Sequence, residues 1–245
     1  MHMAWHKKLV VAWLVWLRPE DLTIFGPDQL TKESVMQSPS IRQDPARQDR
    51  IRQDRRILDI ARDQIKQFGA KRLTVVSVAE EAGMTHANIY RYFSSKLALC
   101  DALTAQWLRE IEARLSAVVD SPDPADDKLE RLLLDLMRQH RSRIDVDSEL
   151  YSLLIDAYAQ NRMVVRQHRT RIGQLIEQIL DNGMATQTFH LRSREVALGL
   201  VYDLGYRFLH PQAIGQDRMI PAKAMETRHA LAARSIIIAL KSAPG

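Results

Sequence analysis

An all-α fold is what the sequence predicts. Apolar residues recur every three or four positions over most of the chain, no segment alternates with a period of two, and 245 residues contain only nine Gly and nine Pro. Two unequal domains fit this length, and 46% hydrophobic residues suffice for a real core. Cys100, the single cysteine, excludes an internal disulfide framework and a cysteine-based zinc site, and a reducing, cytoplasmic setting is the expectation that follows. The net charge of +5 is mild, so any affinity for nucleic acid must come from a local basic face.

Residues 1–48 carry no sustained period and read as a poorly ordered extension, or as the product of a start codon upstream of Met36. The phrase IRQD at 41–44 returns at 51–54. The apolar run Leu9–Leu17 follows Lys7 and Lys8 as a signal core would, but no small-residue cleavage site follows it. Arg18, Glu20 and Asp21 stop it at about half the roughly 20 residues that a membrane span needs. No membrane partner is therefore expected; a peripheral membrane or scaffold protein anchored through Leu9–Leu17 is the alternative. Next come six arginines (42, 47, 50, 52, 55 and 56) against Asp44, Asp49 and Asp54, a polar arm that either stays solvated or touches phosphates.

From Ile57 a first amphipathic helix runs through Leu58, Ala61, Ile65 and Phe68, and Gly69 supplies its left-handed stop. Two short segments follow, Val75 to Ala82 and His86 to Phe93, each preceded by a capping threonine, Thr74 and Thr85. Gly83 and Met84 form the tight turn between them. A long helix starts near Ser95 with the stripe Trp107, Leu108, Ile111, Leu115, Val118 and Val119, and SPDP at 121–124 ends it. Further stripes cover Leu129 to Met137, Leu150 to Tyr158, and Ile172 to Ile179 up to a stop at Asn182-Gly183. Helices are expected again over 194–209, closed by His210-Pro211, and over 222–241, where Ile236, Ile237 and Ile238 suggest burial against another subunit.

Two short helices joined by a three- or four-residue turn have the geometry of a helix-turn-helix, in which the second helix enters the major groove of double-stranded DNA. Ala79 and Ala82 allow the helices to approach. Val75, Val78, Met84, Ile89 and Phe93 face inward, and His86, Asn88, Arg91 and Tyr92 remain outside. Asn88 and Arg91 suit adenine and guanine edges, while Thr85, Tyr90 and Lys96 suit phosphate oxygens.

At these residues the chain resembles the tetracycline repressor-like (TetR) family of bacterial regulators. ILDIA at 57–61 and LTVVSVAEEAGMTHANIYRYFSSKLAL at 73–99 follow that family's landmarks from Ile57 to Leu103 without insertion, most diagnostically at Ala79, Gly83, Ile89, Tyr90, Phe93 and Lys96. Ile65 replaces the family's usual Phe, and Gln64 stands where an apolar residue is usual. The resemblance implies DNA contacts at Thr74, Thr85, His86, Ala87, Asn88, Tyr90, Arg91, Tyr92 and Lys96. It divides the chain into the extension (1–48), a DNA-binding domain (49–103) and a helical effector-binding and dimerisation domain (104–245). It further implies a homodimer through the last two long helices and a repressor released from a near-palindromic operator by a small apolar effector. Aromatic and Met residues among the helices are the candidates to line that effector's pocket: Trp107, Tyr151, Ile155, Tyr158, Met163, Tyr202 and Phe208. A DNA-binding regulator without a ligand is the simpler variant.

No glycine loop for phosphates, no nucleophile with a base and no metal-ligand spacing occurs, so neither an enzyme nor a cofactor is expected. His140, His168, His190 and His210 fall on different elements without a two-ligand spacing and read as surface or capping histidines.

Overall fold

A computed structural model describes residues 45–190 and 193–242. Residues 1–44, most of the expected extension and with them the Leu9–Leu17 run, lie outside the described residues. Among the described residues there are ten α-helices and no strand, and no helix is long and apolar enough to cross a membrane.

Helix α1 (Pro45–Phe68) starts well ahead of the stripe at Ile57, so residues 45–48 are helical instead of loosely ordered. Periodicity is silent there because the opening turns are mostly Arg, Gln and Asp, residues that tolerate a helix without marking a buried face. Proline at the first helical position sacrifices no internal hydrogen bond. The helix ends at the expected Gly69, whose φ is +81°.

The next two helices, α2 (Val75–Glu81) and α3 (His86–Ile89), are short. The second falls short of the expected end at Phe93. The chain leaves α3 in tighter turns, with Arg91 N donating to Asn88 O at 3.1 Å and Tyr92 N to Ile89 O at 2.9 Å. This winding drops the Phe93 ring into the core. Helix α4 (Lys96–Val119) follows.

The rest is a helical body: α5 (Ala125–Val146), α6 (Ser148–Ala159), α7 (Met163–Ala185), α8 (Arg194–Leu209), the short α9 (Pro211–Gln216), and α10 (Ala222–Ser242). The expected stop at Asn182-Gly183 does not occur, and α7 continues to Ala185. Gly183 serves another need: a Cβ there would lie 2.1 Å from Cδ2 of Phe189, whose ring returns against the helix backbone. A six-residue helix gives too little periodicity to be read from sequence, which is why α9 has no counterpart among the expected elements.

Two cores share α4. Its first turns place Leu99, Cys100 and Leu103 with Ile57, Ile65, Val78 and Ile89 in the core of a small amino-terminal head, to which Leu153 of α6 also contributes. Its later turns bury Trp107, Leu108, Ile111 and Leu115 in the body, where α4 packs on α5 and α7. Burial of each such aliphatic side chain contributes about 1.5–3 kcal/mol.

Of the four histidines expected at the surface or at caps, His140 and His168 are core residues instead, whereas His210 is at a cap as expected, closing α8 and opening α9, and is buried there. His140, His168 and His210 are buried, as is His229, and only His190 of the four is exposed. His140 continues the stripe of Leu136 and Met137 toward Ile144, and His168 that of Val164 and Val165 toward Ile172. Their spacing was legible; their polarity hid it. Neither ring nitrogen of His140 meets a hydrogen-bond partner among the described residues. Burial holds its pKa well below the usual imidazole value, and holds those of His210 and His229 down to about 4.

Imidazoles held neutral in the fold bind protons more readily once unfolded, so their contribution is complete above about pH 6.5 and is lost as pH falls toward 4. Stability to urea at pH 5 is therefore expected below that at pH 7.5, by on the order of 1 kcal/mol or more per imidazole, and His140→Leu should flatten the dependence. Stability independent of pH over this range would contradict the burial. Gly183→Ala should cost about 1–3 kcal/mol in the same assay. Gly199→Ala, at a helical site with nothing within 4 Å of the new Cβ, should gain about 0.5–1 kcal/mol.

Candidate nucleic-acid interface

The head is assembled around two capped helix starts and one tight turn. Thr74 Oγ1 accepts from Ser77 N at 2.9 Å, and Ser77 Oγ closes a reciprocal capping box on Thr74 N. Ser77 Oγ also donates to Gln64 Oε1 at 2.8 Å, while Gln64 Nε2 donates to Ser77 O at 3.1 Å and to Glu81 Oε2 at 2.6 Å. Gln64, the departure from the family's apolar pattern, thus clamps α1 to α2 through polar bonds. Ser77 is absent from the sequence-based candidates, although a Ser three residues after a Thr is a capping signal.

Between α2 and α3 the chain turns in a Schellman motif. Met84 N donates to Ala79 O at 2.9 Å and Gly83 N to Glu80 O at 3.1 Å. Gly83 has φ +65°, a left-handed conformation that costs a side chain about 1–2 kcal/mol and costs glycine nothing. Ala79 and Ala82 are buried where the two helices meet. Thr85 Oγ1 then caps α3 by accepting from Asn88 N at 3.3 Å.

This frame exposes most of the expected reading residues. Thr74, Thr85, His86, Ala87, Tyr90, Arg91 and Lys96 are exposed and Asn88 is half-buried. Tyr92 departs from the expectation: it is half-buried and packs on the head's core, because the tight turns after α3 rotate it inward beside Phe93. Lys96 opens α4, whose N-cap Ser95 accepts from Ala98 N at 3.0 Å; its ammonium donates to Lys71 O at 2.9 Å. Among these residues only Thr74 and Thr85 spend their side chains on helix caps.

In the body the candidate pocket residues divide. Trp107, His140 and Tyr151 form one aromatic group, with ring centroids 5.4 Å apart for Trp107 and His140 and 5.9 Å for Trp107 and Tyr151. Tyr151, Ile155 and Tyr158 follow one another on one face of α6, and Tyr158 meets His210 edge-on at 5.2 Å. Tyr151 donates to Pro211 O at 2.7 Å. Burial pushes the hydroxyls of Tyr151, Tyr158 and Tyr202 far above the ordinary phenol value, so all three are neutral. Two candidates stand apart. Met163 begins α7 and is 58% exposed, and Phe208 packs with Met137, Met225 and His229 against α10. His140, which spacing alone assigned to the surface or to a cap, belongs to the aromatic group, and His210 meets Tyr158 from its cap position between α8 and α9.

Helix α6 joins this group to the head. Leu153 enters the head core, Glu149 Oε2 accepts from Ala70 N at 3.2 Å, and Asp147 lies 3.9 Å from Lys66. At the far end of α6, Arg162 donates to Leu153 O and sits 2.7 Å from Asp101 of α4. Burial raises the Asp101 carboxyl pKa and the Arg162 guanidinium opposes it.

Comparison with known proteins agrees with this geometry. Residues 57–103 match the model of bacterial regulatory proteins of the tetR family, and residues 125–227 match that of the tetracyclin repressor-like C-terminal domain. Among characterised relatives, the chain is 27% identical over 149 residues to the nucleoid occlusion factor SlmA of Vibrio atlanticus, covering 60% of this chain and 70% of that protein. Solved structures of similar fold include a TetR-family regulator from Pectobacterium atrosepticum, with TM-score 0.60, 17% identity, and coverage of 81% of this chain and 99% of the other. Another, from Mesorhizobium loti, has TM-score 0.57 and 18% identity, covering 77% of this chain and 96% of the other. With a matching head, a matching body and the same fold, the chain belongs to the TetR family of DNA-binding transcriptional regulators.

Proposed function

We propose that the chain is a homodimeric cytoplasmic repressor that reads a near-palindromic operator with residues 49–103 and is released by a small apolar effector bound within residues 104–245. The observation that carries the reading is the exposed face of Thr85, His86, Ala87, Tyr90, Arg91 and Lys96, held on a capped and Schellman-turned helix pair. Asn88 and Arg91 read base edges; Thr74, Thr85, Tyr90 and Lys96 hold phosphates. Tyr92 supports the face from behind.

Dimerisation is supported by apolar side chains left in solvent on the last two long helices: Val196 is 72% exposed on α8, and Leu231 and Ile238 are 62% and 57% exposed on α10. Pairing these faces across a twofold axis would set two heads about one turn of DNA apart, roughly 34–36 Å. The effector reading is supported by Trp107, Tyr151, Ile155, Tyr158 and Tyr202, most of them on or beside α6. A ligand that moves α6 shifts Leu153, Glu149 and the Asp101–Arg162 pair together, and depopulates the DNA-competent spacing by its differential affinity.

On an operator recovered from DNA bound by the purified protein, Asn88→Ala and Arg91→Ala should each cost about 1–3 kcal/mol and relax base preference, whereas Lys96→Ala should weaken all sequences alike. Unaltered affinity in all three variants would remove the reading face. Light scattering should report a dimer for the native chain and a monomer for the double variant L231E/I238E, with operator affinity falling more than tenfold. A native monomer that binds the whole operator would refute the dimeric reading.

A further inference from the structure

The amino-terminal half of α1 carries none of the side chains to which the reading above gives a DNA contact. It precedes residue 57, where the match to the family's DNA-binding domain begins, yet it is helical and its arginines 47, 50, 52, 55 and 56 are exposed. Asp49 and Asp54 are the opposing charges on the same stretch, and Asp49 lies 3.7 Å from Arg52.

Arg55 lies one turn before Leu58 on α1, and Arg50, five positions before Arg55, stands on the other edge of the side that carries Leu58, so that the two flank one groove. Leu58 anchors that side in the head's core. There α1 and α4 diverge and leave an open groove of about 880 Å³, walled by Arg50, Asp54 and Arg55 on one flank and by Arg109 and Glu110 on the other. Tyr92 also lines it, one residue beyond Arg91 of the reading face. Glu110 is drawn 3.9 Å from Arg143, and among the described residues no ion pair holds Arg50, Arg55 or Arg109. The groove thus runs from these arginines to Tyr92, the chain neighbour of Arg91.

We propose that Arg50, Arg55 and Arg109 bind the sugar-phosphate backbone of duplex DNA just outside the half-site read by Thr85–Lys96, so that α1 lengthens the footprint without adding base readout. The proposal rests on that reading face being the one that docks in the major groove. Arginine suits the task because its planar fork binds phosphate oxygens in pairs and stays charged at any working pH. From Leu58 back to Arg47 the helix spans about 16 Å, at about 1.5 Å per residue, enough to pass several phosphates.

The test compares two operator duplexes, one trimmed to the two half-sites and one carrying ten further base pairs on each side, by fluorescence anisotropy over a salt series. The native chain should bind the longer duplex more tightly, and R50A/R55A/R109A should weaken the longer duplex about tenfold or more while leaving the trimmed one and its base preference unchanged. On the longer duplex the slope of log affinity against log salt should become shallower by about 0.9 for each phosphate that an arginine no longer neutralises. R50K/R55K/R109K, which keeps the charge, should retain most of the affinity. Equal binding of the two duplexes by the native chain, or an equal weakening on both in the alanine variant, would overturn the proposal. Failure of the native chain to prefer the operator over random duplex would instead sink the reading face itself.

Discussion

The structure depends on the shared burial of α4. Leu99 and Leu103 belong to the head core and Leu108, Ile111 and Leu115 to the body core. With no Pro or Gly between them, the helix has no site for a sharp kink. The position of the reading face, which starts just ahead of Ser95, is therefore set by how α4 lies on α5 and α7. Ser95 fixes the near end through its cap.

A second connection ties the head to the body. Helix α6 gives Leu153 to the head while its Tyr151 meets Trp107 and its Tyr158 meets His210 in the body. Asp147, its N-cap, is tied to Lys66 of the head, and beyond its other end Arg162, the N-cap of α7, is tied to Asp101. The second pair is the stronger restraint, because Arg162 is nearly enclosed and lies 2.7 Å from its partner, whereas Lys66 is half in solvent at 3.9 Å. Packing that changes around α6 thus reaches α1 and α4 through bonds that are already made.

The head was almost wholly legible in the sequence, because its signals are local. Thr74, Thr85 and Ser95 mark helix starts, Gly69 and Gly83 mark left-handed turns, and Ala79 and Ala82 mark a close crossing. Tyr92 reads as fully outward and is half-buried against the core, because an ideal helix drawn through Phe93 overlooks the tighter winding after Ile89. In the body, helix positions followed from the apolar period, but the interior did not. His140 and His168 sit on apolar stripes where a polar residue reads as surface. Gly183 reads as a helix stop, because nothing local announces that the Phe189 ring folds back onto its backbone. Exposed Met163 and separately packed Phe208 illustrate the same limit: residue type names pocket candidates, and only the crossing of distant helices decides which of them meet.

Selection of bound duplexes from a random pool by the purified full-length chain tests the central claim most directly. The account predicts enrichment of a near-palindrome whose half-sites lie about one helical turn apart, roughly 10–10.5 base pairs centre to centre or a multiple of that spacing. Recovery of unenriched sequence, bound with the same affinity as random DNA, would contradict it.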